Sequence, residues 1–229
     1  MKSLNSLVIT TSCSKTADSK NKTGVWLEDL VAPYFILKDR GEFVTIASPF
    51  GGKIPIDINS QSAAAFTDST KRFQQDTQAM YHFSHSLPLN EIDIEVFDLL
   101  FLVGGYGAMW DFPDNKWLNE IIHYFHRDQK PIGLVGHAVA ALVSLTTKNM
   151  QPFVKGISLT AFSNQEEIAA SLDEQPPFSL ESRLISLGAL YSNGPNFKSH
   201  VVTDGNIITG QNPASSAETA EQIITLAKK

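Results

Sequence analysis

At 229 residues, with 42% apolar and 18% charged side chains, the chain is long enough to bury a sizeable core and does not have the composition of a disordered protein. A formal net charge of −6 without any Lys/Arg run argues against nucleic acid and against an anionic membrane surface as partners. The single cysteine, Cys13, excludes an internal disulfide framework and fits a reducing compartment, so a cytoplasmic location is expected.

The first apolar run, Leu7 to Ile9, is too short for a signal-peptide core or a bilayer span. Ser6 to Thr11 is β-branched and reads as a first strand. Trp26, Leu27, Leu30, Val31 and Tyr34 recur at helical spacing, which predicts an amphipathic helix over Gly24 to Lys38, ended by Gly41. Glu42 to Ala47 reads as a second strand, and Pro49 to Ser60 is rich in turn residues. Ser69 to Phe83 reads as helical. Phe97 to Val103 is a continuous apolar run closed by Gly104 and Gly105. Such a run suits a strand buried on both faces of a parallel sheet. Asn115 to Arg127 reads as a helix with Trp117, Ile121, Ile122 and Phe125 inward. Pro131 to Val135 is a further buried strand running into a small-residue helix, His137 to Thr146. Gly156 to Phe162 reads as a strand followed by an acidic helix start at Asn164 to Glu167. His200 to Thr209 alternates around Asp204-Gly205, a hairpin signal, and Ser215 to Ala227 closes with a helix. There are no repeats and no linker. Strands alternating with helices predict one α/β domain over residues 1–229, a doubly wound parallel sheet with helices on both faces and a small C-terminal hairpin.

Ligands of such sheets bind beyond the carboxyl ends of the strands. Four of those ends carry chemistry: Thr10 to Cys13, Gly104 to Gly107, Gly136-His137 and Phe162 to Glu167. A strand running through Gly136-His137 into a helix has the form of a nucleophile elbow, although most such junctions are structural. Gly104-Gly105-Tyr106-Gly107 suits backbone N–H groups aimed at a ligand, and equally a tight turn that needs positive φ. His123 and His126 lie one helical turn apart without any metal-binding pattern and read as a solvated helix face. Trp26, Trp110 and Trp117 read as core or pocket wall. Cys13 shares the rim of the strand ends. A displaced nucleophile there would need a lowered pKa, which the sequence does not show.

Phe101 to Pro113 (FLVGGYGAMWDFP) resembles the Gly-Gly-His-Gly-x-x-x-Asp segment of the ThiJ/PfpI superfamily, in the branch that holds glyoxalase III and related heat-inducible chaperone-type proteins. Thr23 to Leu30 (TGVWLEDL), Gly133 to Leu142 (GLVGHAVAAL), Leu159 to Glu167 (LTAFSNQEE) and Asp204 to Ser216 (DGNIITGQNPASS) agree in order and spacing, so the resemblance covers nearly the whole chain. It implies a flavodoxin-like, glutamine-amidotransferase-type fold, a homodimer, and cofactor-free, metal-free chemistry through a Cys-His-Glu triad. The implied family reaction is conversion of methylglyoxal to D-lactate, or a related hydrolysis or deglycation, and the expected partner is a small carbonyl or carboxylate compound. Carried over, the nucleophile position is Gly136, the histidine His137, its acidic partner Glu167 and the first-helix carboxylate Asp29. The oxyanion donors would be the N–H groups of Gly105 and His137. Glu28, Gly104, Tyr106 and Trp110 would line the pocket. The chain departs from the family at Gly136 for cysteine, Asp29 for glutamate, Tyr106 for histidine, and Ala138-Val139 for Gly-Pro. Without a side chain at 136 no covalent intermediate can form there. Two readings follow: a glyoxalase, deglycase or hydrolase whose covalent chemistry is disabled, or a non-catalytic small-molecule-binding or chaperone-like stress protein. An introduced glycine favours the first and a native one the second.

Overall fold

A computed structural model describes residues 3–16, 22–172 and 176–229. Its strands are β1 (Asn5–Ile9), β2 (Phe43–Ser48), β3 (Leu87–Pro88), β4 (Leu99–Leu102), β5 (Ile132–Val135), β6 (Ser158–Leu159), β7 (Leu190–Tyr191), β8 (Val201–Asp204) and β9 (Ile207–Gly210). Seven of them form one sheet in the order β3-β2-β1-β4-β5-β9-β8, parallel throughout except at the β8–β9 edge. The helices are α1 (Leu27–Asp39), α2 (Asp68–Phe73), α3 (Thr77–Ser84), α4 (Ala108–Asp111), α5 (Lys116–Arg127), α6 (Asn164–Ala169), α7 (Leu180–Ser186) and α8 (Ser216–Ala227). This is the flavodoxin-like α/β arrangement expected from the sequence.

Side chains along a strand alternate between faces, so a sheet covered on both sides needs apolar residues at every position. The central strands meet that demand except at Asn5 and Ser6, where β1 begins, and at Thr209 in β9. Leu7, Ile9, Leu100, Leu102, Ile132, Leu134 and Ile207 point into one core with α5 and the segment after β5. Their neighbours Val8, Leu99, Phe101, Val135 and Ile208 point into the other, with α1 and α8. On α5 the buried stripe is Leu118, Ile121, Ile122 and Phe125, at the i, i+3, i+4, i+7 spacing of one helix face.

Several details differ from expectation. Trp117 is 39% exposed, because it lies one position off that stripe; its ring carries the Lys116 ammonium instead. Ser69 to Phe83 is two helices, separated where Asp76 leaves the helix to cap α3 through Ala79 N–H. The segment after β5 is a 3₁₀ helix over Gly136–Leu142, not an α-helix; small residues at Ala138, Ala140 and Ala141 suit its eclipsed i, i+3 winding. Gly156 to Phe162 contributes only Ser158–Leu159, which pairs with β7 in a separate two-stranded sheet. The place beside β5 is held by β9, register Ile132↔Ile207 to Val135↔Gly210. The C-terminal hairpin is therefore no appendage, since its second arm is a strand of the main sheet. His126 is not simply solvated: Nδ1 lies 2.9 Å from Asn206 Oδ1 and its ring packs on Phe153. Among the described residues, no helix is long and apolar enough to cross a membrane.

Candidate functional site

Chain order reverses between β1 and β4, and the crevice beyond the carboxyl ends at such a point is where open α/β sheets bind ligands. A cavity of about 330 Å³ lies there. Gly105 and Tyr106 come from the end of β4, Gly136 and His137 from the end of β5, and Pro213 from beyond β9. Asp29 reaches in from the first turn of α1. Trp26, Phe162, Leu172 and Phe197 supply an apolar wall.

The loop after β4 is shaped by close backbone approach. Gly105 has φ +127, and a Cβ there would stand 2.4 Å from Trp26 N and 2.5 Å from Val25 Cα. A Cβ on Gly104 would stand 2.2 Å from Asp29 Oδ2. Gly105 is thus required for the segments before α1 and after β4 to lie together, as in Trp26 N–H to Gly104 O at 3.3 Å, and Gly104 for the Asp29 carboxyl and the end of β5 to come against that loop. At the end of β5, Gly136 takes the left-handed φ of +56. Here space is open: a Cβ would meet only Asp29 Oδ2 at 3.7 Å and Gln211 O at 3.9 Å, ordinary contact distances. A cysteine fits at Gly136 sterically but must adopt a backbone that side chains disfavour. Gly136→Cys is expected to lower stability by about 1 kcal/mol, read as a shift of the urea midpoint. A variant as stable as the parent would show that the glycine relieves no strain.

His137 donates or accepts through Nε2 at 2.8 Å from Glu167 Oε1, with both side chains buried. This leaves Nδ1 as the ring nitrogen available to the cavity. The Tyr106 ring stands edge-on to His137 at 5.1 Å, and Phe162 lies against it at 4.6 Å. Asp29, only 2% exposed, accepts the Ser216 hydroxyl at 2.8 Å on Oδ1. Burial pushes its carboxyl up to about 8; the Ser216 hydroxyl offsets part of the rise and the nearby Glu28 charge adds to it. Below that pH the group is a neutral acid that can donate a proton into a hydrogen bond.

The other expected residues fall around this centre. Tyr106 lines the cavity and anchors its hydroxyl on Leu172 O at 2.9 Å. Trp110 stands behind it, ring edge to ring at 5.1 Å, and Gly104 lies beneath the Asp29 carboxyl; neither lines the cavity. Glu28 faces an adjoining groove, where it accepts the Thr67 hydroxyl. Cys13 is not brought to the cavity. Its thiol donates to Lys15 O at 3.1 Å, and burial pushes its pKa up, the reverse of what a reactive thiolate needs. Asp111, the acid of the Gly-rich segment, accepts the Thr11 hydroxyl and Ser12 N–H, each at 2.7 Å, and so fixes the end of β1.

Glu166 is a functional neighbour that the sequence reading passed over in favour of Glu167. It is fully buried and accepts five hydrogen bonds: from Ser163 N–H and Oγ, Gln211 Nε2, Asn212 Nδ2 and Phe197 N–H. The Phe197 bond, 2.7 Å long, holds a residue at φ +57, a conformation rare for a side-chain-bearing residue. Ser163-x-x-Glu166 is a capping box and was legible as such. Ser216 had no local signal, since its partner is 187 residues away.

Comparisons agree with this architecture. The model of the DJ-1/PfpI family matches residues 24–226. The human glutamine amidotransferase-like class 1 domain-containing protein 1 is 31% identical over 160 residues, which cover 70% of this chain and 72% of that protein. Glyoxalase 3 of Candida albicans is 26% identical over 234 residues, covering 95% and 96%. Among solved structures, the rapid encystment protein of 24 kDa from Francisella tularensis superposes with a TM-score of 0.92 at 35% identity, over 98% and 99% of the two chains.

Proposed function

Since this chain belongs to the DJ-1/PfpI family, we propose that it keeps a glyoxalase-type pocket whose reaction at residue 136 has been replaced by non-covalent binding of a carbonyl compound, in the homodimeric state that the resemblance implies. One observation carries the reading: the buried His137–Glu167 pair and the Asp29 acid still surround an open position at Gly136.

In this reading the carbonyl oxygen sits against the N–H groups of Gly105 and His137. The first N–H groups of a helix have no partner within it, and His137 holds the second position of its 3₁₀ turn. Donors fixed in a low-dielectric pocket bind a polarised oxygen better than water does. Protonated Asp29 adds a donor beside Gly136. In a cysteine enzyme a thiolate would attack the carbonyl carbon, forming a C–S bond as the C=O pair moves onto oxygen. Gly136 offers no such pair of electrons, so the carbon stays trigonal. His137, oriented by Glu167, keeps a nitrogen for holding or moving a proton.

The test compound is methylglyoxal, the substrate that the family resemblance implies, in line with the glyoxalases among the relatives. D-lactate formation is measured for the parent and for Gly136→Cys. The expected result is turnover by the variant alone, at least 100-fold above the parent, in line with restoring a covalent route. Turnover by the parent at the variant's rate would overturn the reading. Turnover by neither would mean that Asp29, Tyr106 and Ala138 no longer support that chemistry.

A further inference from the structure

A second groove, of about 450 Å³, adjoins the cavity and shares three wall residues with it: Trp26, Phe197 and Pro213. Its remaining surface comes from Glu28, the stretch from Ser62 to Thr67, Ala214 and Ala217. The two spaces form one path running from Gly136 over an apolar saddle to Glu28.

Charge along this path has one sign. No Lys or Arg among the described residues lines either space, whereas Asp57 lines the first and Glu28 the second. Glu28 is half-buried and forms no ion pair among the described residues; its hydrogen bond comes from the neutral Thr67 hydroxyl. A partly desolvated carboxylate without a cation attracts one and repels a second carboxylate. A three-carbon dicarbonyl would leave the Trp26–Phe197–Pro213 saddle uncovered, and ligand pockets of this size ordinarily hold larger molecules.

We propose that the ligand is an elongated carbonyl compound with a cationic end: its carbonyl at Gly136, an aliphatic or aromatic body across Trp26, Phe197 and Pro213, and an ammonium group at Glu28. The inference rests on the carbonyl-pocket reading above and names its ligand class. It narrows the earlier expectation of a carbonyl or carboxylate compound by removing the carboxylates.

The test is calorimetric titration with three amides of matched length: 6-aminohexanamide, heptanamide and adipamic acid. The expected order of affinity is cation, neutral, anion, with about tenfold between the extremes. Glu28→Gln is expected to bring all three within about twofold of one another. Ala64→Lys, at an exposed position in the groove, is expected to move the order toward adipamic acid and does not depend on the Glu28 variant folding well. Equal binding of the three by the parent, or tightest binding of the anion, overturns the extended-ligand inference and leaves the carbonyl pocket standing. Binding of none of them overturns both.

Discussion

Asp29→Asn is expected to make the protein more stable, by an amount that grows with pH. The Asp29 carboxyl titrates near 8 in the fold, against 3.8 for the free side chain. Its folded pKa is raised, so between those values the unfolded chain carries the charge and the folded chain the proton. The unfolded state therefore binds fewer protons, and the stability of the parent falls as pH rises through that window. Below about pH 4 both states are protonated and the variant should differ little. Above about pH 8 both are ionised and the difference levels off. The ideal slope is about 1.4 kcal/mol per pH unit. Water penetration and local relaxation reduce it, so a gain on the order of 3 kcal/mol at pH 8 is expected. Asparagine keeps the Oδ1 that accepts the Ser216 hydroxyl, so the substitution removes the charge without removing that bond. Urea titrations of both proteins from pH 4 to 9 read the effect. A difference that does not change with pH would mean that Asp29 is not held as a neutral acid.

Gly105→Ala carries the largest expected loss. A methyl group there would press on the backbone of the segment leading into α1, within 2.6 Å of Trp26 N, Val25 Cα and Gly24 O together. None of these is the tip of a flexible side chain, so relief requires parting α1 from the end of β4. With φ at +127 the backbone is also one that an L-residue avoids. A loss of about 4 kcal/mol or more is expected, enough to leave little folded protein in a chain of ordinary stability. Gly136→Ala is the control. It shares positive φ but has nothing nearer than 3.7 Å, so it should cost only about 1 kcal/mol. If the two alanine variants melt together, close approach is not what reserves Gly105 for glycine.

The central sheet could be read from residues because Leu7–Ile9 of β1, Leu99–Leu102 of β4 and Ile132–Val135 of β5 are uninterrupted runs without a polar side chain, which burial on both faces explains. Long-range pairing could not be read. Ile207–Gly210 looks like half of a local hairpin, and nothing in its own side chains says that it also lies parallel to β5. Gly156 to Phe162 has the composition of a main-sheet strand, yet only Ser158–Leu159 is a strand, paired with β7, and the place beside β5 belongs to β9. In the site, His137 and Glu167 were found through family resemblance, not spacing, because they are 30 residues apart and meet only when α6 folds over the end of β5. Of the cavity wall, Phe162 was legible at a strand end, whereas Leu172 and Phe197 were not: two apolar residues far apart in the chain give no periodicity.

Phe197 gives the pocket an unusual outer door. Its side chain is 47% exposed, yet its amide is tied to a carboxylate with no exposure at all. Displacing the backbone that carries this aromatic wall means pulling a donor from Glu166, whose other bonds run to the start of α6 and to Gln211 and Asn212 beyond β9. A surface side chain is thereby geared to the interior. The consequence is kinetic: the exposed ring can change rotamer quickly, whereas moving the backbone that carries it requires breaking the bond to Glu166 and belongs to the slower class of local openings.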